Sequence, residues 1–130
     1  MNDPLGSPGP DGPLLVIVDG ANVVGSRPDG WWRDRRGAAE RLRDRLAREG
    51  LPRHEGAVEL VLVVEGAARG VESVPGVRVA EARGSGDDRI VELAAENSHR
   101  ARLVVTADRE LRRRVTELGA EVTGPRAVLG

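Results

Sequence analysis

The sequence predicts an α/β fold in which a mainly parallel sheet lies between two layers of helices. Two observations support this class. Predicted strands and helices alternate along the chain, an order typical of parallel sheets covered by helices. The two strongest apolar runs, LLVIV at residues 14–18 and VLVV at residues 61–64, are continuous, as expected for strands that are buried on both faces. The 130 residues are expected to form one domain.

The first thirteen residues, MNDPLGSPGPDGP, are predicted to form a disordered tail because they are rich in Pro and Gly and have no periodicity. The remaining residues, 14–130, are expected to form the single domain. Its first strand covers residues 14–18 and runs directly into Asp19. A long amphipathic helix is predicted from about residue 32 to residue 49, where Gly50 ends it. Its apolar stripe consists of Ala38, Ala39, Leu42, Leu46 and Ala47.

The rest of the chain continues the alternation of strands and helices. The predicted elements are a strand at residues 57–64, a strand at residues 77–80, a helix in DDRIVELAAENS, a strand in RLVV, a helix at residues 109–118 and a short strand at residues 121–122. Gly119 is the predicted stop of the last helix. The sequence contains no internal repeat, so a repeat architecture is not expected.

Composition excludes several classes of function. The chain has no Cys, so disulfides, thiolate zinc sites and Cys nucleophiles are ruled out. It shows neither a membrane-span pattern nor a signal peptide, so a cytoplasmic protein without membrane contact is expected. Net charge is −1, yet all 20 basic residues are Arg, which suits bidentate phosphate contacts. Because a compositional bias toward Arg, Gly and Ala also explains this, the arginines alone identify no partner.

Acidic side chains follow the predicted strands. Asp19 follows the first strand, Glu65 follows the second, and Asp108 lies just past the fourth. In parallel α/β sheets, ligands bind outside the carboxyl ends of the strands. Clustered carboxylates repel one another unless protons or a cation compensate them, and Mg²⁺ prefers oxygen ligands and keeps several waters. The sequence therefore favours a cation site at this edge of the sheet.

Each side chain near this edge also has an ordinary structural explanation. Asp108 is placed to cap the helix that follows it. Asp19 before Gly20 is typical of a turn. Asn22 suits a helix start as well as it suits contact with a metal or a phosphate. Thr106 could fix the carboxylate of Asp108 or a water, but a plain β-branched strand residue is the default.

Two adjacent acids open the helix in DDRIVELAAENS. Residues three and four apart share a helix face. Asp87 therefore aligns with Ile90 and Val91 and is expected to point toward the sheet. Asp88 is turned further outward, and the helix dipole is enough to explain it. Asp87 is the better ligand candidate of the two.

Three segments, VDGANVVG, GSGDDRIVE and VVTADRELRRRV, resemble the signature segments of the YacP-like branch of the NYN nucleases, in the PIN-like superfamily. The resemblance extends from residue 14 to about residue 129. It implies a PIN-like three-layer α/β/α sandwich with strand order 3-2-1-4-5. It also implies metal-dependent hydrolysis of RNA phosphodiester bonds, by internal cleavage, with Mg²⁺ or Mn²⁺ as cofactor.

The resemblance further implies which residues form the site. The catalytic residues would be Asp19, Asn22, Asp87, Thr106 and Asp108. The metal ligands would be Asp19, Asp87 and Asp108, with Glu65 and Asp88 as further candidates. Glu65 stands where such proteins often have Asp, and its longer side chain must fold back to reach the same point. Its role as a ligand therefore stays open.

Aromatic side chains beside arginines suit single-stranded nucleic acid, through stacking and phosphate contacts. We expect RNA contacts from Trp31, Arg33, Arg35, Arg109 and Arg113. Trp31 is expected to be exposed, and Trp32 to cover the aliphatic core because it adjoins the long helix. Arg113 is also placed for an ordinary ion pair with Glu117, four residues on.

Two other functions stay open at this point. One is a noncatalytic RNA- or ribosome-binding module that keeps a vestigial PIN-like pocket, which the retained Asp19, Asp87 and Asp108 disfavour. The other is a small-nucleotide phosphohydrolase that uses the same pocket, although the arginine-rich surroundings favour a polymer. The expected partner is RNA, including RNA on the ribosome, and the expected state is a monomer or a homodimer.

Overall fold

The computed structural model describes residues 12–130, so most of the predicted tail, residues 1–13, lies outside the described residues. Strands and helices alternate as the sequence predicts. The strands are β1 Leu14–Asp19, β2 Val58–Val64, β3 Val77–Glu81, β4 Arg102–Val105 and β5 Glu121–Thr123. The helices are α1 Gly20–Gly25, α2 Arg35–Glu49, α3 Gly86–Glu96, α4 Arg109–Thr116 and α5 Arg126–Leu129. Single turns of 3₁₀ helix lie at Trp31–Arg33 and Gly66–Ala68.

The described strands form one parallel sheet in the order β3-β2-β1-β4-β5. This confirms the predicted class and the predicted strand order. β1 is the central strand, and its Val18 is in register with Leu62 of β2 and with Val105 of β4. Because neighbouring strands point the same way, the residues that follow β1, β2 and β4 emerge at one edge of the sheet.

Side chains of β1 alternate between two hydrophobic cores. Val16 and Val18 pack with buried residues of α1, α2 and α5 on one face of the sheet. Leu15 and Ile17 pack with buried residues of α3 and α4 on the other face. Burial on both faces explains why the β1 sequence is continuously apolar. The structure is therefore the predicted three-layer sandwich.

Helix α2 begins at Arg35, three residues later than predicted. Asp34 caps it, since its Oδ1 accepts a hydrogen bond from the backbone N–H of Gly37 at 2.9 Å. Four residues of the predicted apolar stripe are buried, but Ala47 is exposed. Ala47 lies about 100° around the helix from the buried Leu46, and this places it outside the face that contacts the sheet.

The short helices α1 and α5 are not predicted from the sequence. α1 begins directly after β1, at Gly20. A Cβ at this position would lie 2.5 Å from the carbonyl oxygen of Val63 in β2. The close approach of the β2 backbone therefore explains why residue 20 is a glycine. The sequence alone suggests a different reason, a turn after Asp19. Among the helices within residues 12–130, none combines the length and the apolar character needed to cross a membrane.

Candidate active site

Asp19 lies at the carboxyl end of the central strand and is buried, with 4% of its surface exposed. One carboxylate oxygen, Oδ2, accepts a hydrogen bond from the Thr106 hydroxyl at 2.8 Å. The other, Oδ1, accepts from the backbone N–H of Asn22 at 3.3 Å and so caps helix α1. The carboxylate is thus held by groups from both β1–α1 and the end of β4. A purely local turn would not need the contact with Thr106.

Two further hydrogen bonds connect the start of α1 to the loop between β4 and α4. The side-chain oxygen of Asn22 accepts from the backbone N–H of Ala107 at 2.8 Å. The hydroxyl oxygen of Thr106 accepts from the backbone N–H of Asp108 at 3.1 Å. The sequence leaves Thr106 as a plain strand residue or as a group that fixes the carboxylate of Asp108 or a water, whereas in the structure its hydroxyl donates to Asp19. Asn22 does not cap its helix, since its oxygen reaches a different segment.

Like Asp19, both Asp108 and Glu65 use one oxygen to accept a backbone N–H at the start of a helix. Asp108 Oδ1 accepts from the backbone N–H of Leu111 at 2.9 Å and is the N-cap of α4. Glu65 Oε1 accepts from the backbone N–H of Gly86, the first residue of α3, at 2.7 Å. The second oxygen of each carboxylate receives no hydrogen bond from a described residue. These two side chains therefore have a structural role and still offer one oxygen each.

Asp87 and Asp88 differ as their helix positions predict. Asp87 is half-buried, whereas Asp88 is exposed and pairs with Arg114 at 3.1 Å. Burial raises the pKa of Asp87, and the negative charges of Asp108 and Glu65 raise it further. The charge of Asp87 therefore interacts with two acids that come from other elements of the fold, and Asp87 lies on the inner side of α3.

The pKa of Asp19 is raised to about 6, mainly because the carboxylate is buried. Hydrogen bonds from Thr106 and from the Asn22 backbone partly offset this, and the charges of Asp87 and Glu65 add to it. Acids from the ends of β1, β2 and the start of α3 thus share one electrostatic environment. No cation is among the described groups that set the pKa of Asp19.

The acids do not form a ready-made coordination shell. Within residues 12–130, no group of three or more His, Asp or Glu side chains is arranged to hold a metal ion. Asp19, Asp87, Asp108 and Glu65 therefore interact through charge at one edge of the sheet without converging on a single point. A metal bound here would be contacted partly through water.

The two tryptophans are placed in the opposite way to the expectation. Trp31 is half-buried and lines a small cavity, about 80 Å³ in volume, together with Ala39 of α2 and Glu65. Trp32 is 52% exposed. Trp32 was expected to adjoin α2. In the structure a separate 3₁₀ turn, Trp31–Arg33, precedes α2, and it directs Trp31 toward the protein interior instead. Trp32, and not Trp31, is therefore the exposed aromatic residue, and Arg33 beside it is the signal in the sequence that points to this position.

Arginines accompany both rings. The guanidinium carbon of Arg33 lies 5.9 Å from the centre of the Trp32 ring, and that of Arg35 lies 5.1 Å from the centre of the Trp31 ring. Both distances are within the range of cation–π attraction. Arg33 and Arg35 are exposed. This part of the surface presents aromatic faces and positive charge side by side.

The two arginines predicted on α4 have different surroundings. Arg109 is exposed and makes no hydrogen bond or ion pair with the described residues. Arg113 pairs with Glu110 and, at 2.7 Å, with Glu117. The carboxylate of Glu110 raises the pKa of Arg113. Arg109 is therefore free to contact a phosphate, whereas Arg113 is already neutralised along its own helix.

The Asp19→Asn substitution is expected to change how stability depends on pH. The pKa of Asp19 in the folded protein, about 6, lies above its ordinary 3.8. The contribution of Asp19 to the stability of the fold is therefore most favourable below pH 4 and is lost as pH rises through 6. Without metal, the free energy of unfolding of the wild type, measured relative to that of Asp19→Asn, should therefore fall by about 2 to 3 kcal/mol between pH 4 and pH 7.5. Urea unfolding in chelator at both pH values measures this. If the wild type and Asp19→Asn differ in free energy of unfolding by the same amount at both pH values, the prediction is wrong.

Comparison with known proteins identifies the fold. Neither a protein-family model nor a curated protein sequence matches the chain. Matching solved structures include Rae1 (YacP) from Bacillus subtilis and a mutant of that protein, with TM-scores of 0.66 and 0.65. Each is 22% identical to this chain, and each match covers 88% of this chain and 71% or 72% of the Rae1 chain. The chain described here therefore has a YacP-like fold.

Proposed function

We propose that the protein is a metal-dependent ribonuclease that cuts RNA internally with Mg²⁺ or Mn²⁺. The observation that carries the proposal is Asp19, a buried carboxylate at the end of the central strand whose surroundings add negative charge from Asp87 and Glu65. A bound cation would compensate this charge. The resemblance of three sequence segments to the YacP-like nucleases supports the same activity.

The available ligands suit a hard cation that is bound partly through water. Asp19, Asp87 and Asp108 offer carboxylate oxygens, and Glu65 offers the oxygen that does not accept from the Gly86 backbone N–H. Mg²⁺ keeps several waters and needs only one or two direct carboxylates. The lack of three converging acids in the described part of the chain is therefore compatible with such an ion. Asp88, which pairs with Arg114, is the weakest candidate ligand.

The chain's own groups would hold the reacting partners in place. A bound divalent cation supplies Lewis-acid polarisation of a phosphoryl oxygen and acidifies a water. Thr106 donates to Asp19 and fixes the orientation of that carboxylate. The side-chain oxygen of Asn22 accepts from the backbone N–H of Ala107. The NH₂ group of Asn22 is then available to donate to a phosphate oxygen.

Exposed groups near the site suit single-stranded RNA. The ring of Trp32 offers a stacking surface for a base, with Arg33 beside it for a phosphate. Trp31 and Arg35 offer a second, more enclosed contact. Arg109 follows Asp108 directly and is the best-placed phosphate contact on α4. Arg113, the remaining predicted contact, would have to leave its glutamates to bind RNA.

A second candidate function is noncatalytic binding of RNA or of the ribosome. The absence of a ready-made group of three acidic ligands within residues 12–130 is the observation that favours it. A small-nucleotide phosphohydrolase is the third candidate, and cleavage of mononucleotides instead of RNA would identify it. The cytoplasmic location, the association with ribosomes and the monomeric or homodimeric state stay predictions.

The proposal predicts that Mn²⁺ binds at the acidic edge. Asp87→Asn is expected to weaken Mn²⁺ binding at least about tenfold, the lower end of the loss seen when a supporting group is removed from a metal site. Asp88→Asn, the adjacent exposed acid, is the matched control and should leave the affinity nearly unchanged. Electron paramagnetic resonance of free Mn²⁺ measures both. Equal affinities for the wild type and Asp87→Asn would contradict the assignment.

A further inference from the structure

A groove lies beside helix α2, and none of the acids of the candidate site line it. Its volume is about 270 Å³, and it is bounded by α1, α2 and the end of α5. Apolar side chains form one part of the lining, namely Val23, Val24, Ala38, Leu42 and Leu129. None of the charged residues of this groove belongs to the proposed catalytic site.

The charged part of the lining is strongly basic. It consists of Arg27, Arg41, Arg45 and Arg48, with Asp29 as the one acid of the groove among the described residues. The chain as a whole has a net charge of −1, so this surface is a local concentration of positive charge. Arginine prefers carboxylates and phosphates as partners. Glu49, at the end of α2, pairs with Arg45 at 3.4 Å and with Arg48 at 3.6 Å. Asp29 and Glu49 together balance only two of the four positive charges, so the surface keeps an excess of positive charge.

Two of the four arginines are held close together. Arg27 and Arg45 both donate to the carbonyl oxygen of Leu129, at 2.9 and 2.8 Å. Arg41 is exposed and makes no hydrogen bond or ion pair with any residue in the described range. Like charges at such short range repel one another, and a bound anion would remove the repulsion. The groove therefore has the charge of an anion-binding surface.

The spacing of the arginines on α2 fits an extended anion. Arg41, Arg45 and Arg48 are four and three residues apart, so they lie along one face of the helix. From Arg41 to Arg48 the helix rises about 10 Å, which is longer than one phosphate group. An isolated phosphate would contact only part of this row, whereas a chain of phosphates would contact all of it.

The groove and the cavity beside Glu65 share one wall residue. Val24 lines both the groove and the smaller cavity that Gly20, Trp31 and Glu65 line. α1 begins directly after Asp19, and Val24 lies five residues further on, a rise of roughly 7 Å. A polymer held by the acidic edge could therefore pass the Trp31 cavity and enter the groove.

We propose that this groove binds the phosphate backbone of RNA next to the cleavage site. The choice of RNA as the polyanion rests on the proposed function. The basic character of the groove rests on its lining residues alone. The arginines contact successive phosphates, and the apolar lining accommodates the sugars and bases between them. The groove thus extends the RNA-binding surface beyond Trp31, Trp32 and their arginines.

The test is the affinity of labelled single-stranded RNA in chelator, so that the RNA is not cut. Arg41→Gln with Arg48→Gln is the groove pair, since neither side chain hydrogen-bonds to a described backbone group. Arg53→Gln with Arg78→Gln is the control pair, which removes the same charge from other exposed positions. The groove pair is expected to bind at least about tenfold more weakly at 0.1 M salt, and the slope of log K against log salt should fall by about 1.4. The control pair should change neither.

An unchanged affinity and salt slope in the groove pair would overturn the proposal, as would an equal loss in the control pair. Cleavage in Mn²⁺ is measured separately with Asp19→Asn. If that protein cuts RNA at the wild-type rate while the groove pair loses affinity, the proposed catalytic site is wrong and the groove is supported. If Asp19→Asn is inactive while the groove pair binds normally, the groove proposal alone is overturned.

Discussion

Replacing Asp19 with Asn is expected to lower the rate of metal-dependent RNA cleavage at least about 100-fold, the upper end of the loss caused by removing a supporting group at a metal site. The amide has nearly the shape of the carboxylate, and its oxygen can still accept from the Asn22 backbone N–H. The fold should therefore be kept. What is lost is the negative charge at the centre of the acidic edge, which the proposed cation requires.

Single-turnover cleavage of a labelled RNA in Mn²⁺ measures this loss. Asp88→Asn is the control, because it removes one carboxylate from the same edge region but from an exposed position that pairs with Arg114. It should stay within a few-fold of the wild-type rate. Cleavage by Asp19→Asn at close to the wild-type rate would show that this carboxylate is not part of the reaction.

Replacing Arg102 with Met is expected to destabilise the protein by about 3 kcal/mol or more. Arg102 lies on β4 and is buried, with 6% of its surface exposed. It donates to three backbone carbonyl oxygens, those of Arg100, Ala94 and Leu118, at 3.0, 2.6 and 2.9 Å. Met fills a similar volume but donates nothing, so carbonyl groups at the ends of α3 and α4 would lose their partners.

Urea unfolding at neutral pH measures the effect. Arg78→Met is the control, since Arg78 is an exposed residue of β3 and should tolerate the change within about 0.5 kcal/mol. Arg102→Lys keeps the charge and some donors, so it should recover part of the lost stability. If Arg102→Met unfolds at the same urea concentration as Arg78→Met, the three hydrogen bonds do not stabilise the fold as argued.

The general architecture could be predicted because it depends on patterns that are local in the sequence. Continuous apolar runs at residues 14–18 and 61–64 predict strands buried on both faces, and the structure places both in the centre of the sheet. Helical spacing likewise predicts that Asp87 lies inward and Asp88 outward. The strand order came instead from the resemblance of three short segments to a known family.

Features that depend on contacts between distant segments could not be predicted. Gly20 is explained by the backbone of β2, more than forty residues away, and Asn22 by its contact with Ala107. Nothing in the sequence near Arg102 shows that carbonyl groups of Ala94 and Leu118, at the ends of α3 and α4, surround it. For the same reason, Glu65 could be recognised as an acid at a strand end but not as the acceptor for the first backbone N–H of α3.

Incubation of the purified protein with total RNA, in Mn²⁺ or in chelator, followed by sequencing of the RNA ends, decides whether the protein is a metal-dependent endoribonuclease. A metal-dependent endoribonuclease predicts new internal ends in Mn²⁺, their loss in chelator, and their loss in the Asp19→Asn protein. RNA that is bound but stays intact in Mn²⁺, or the same ends in chelator, would contradict the claim.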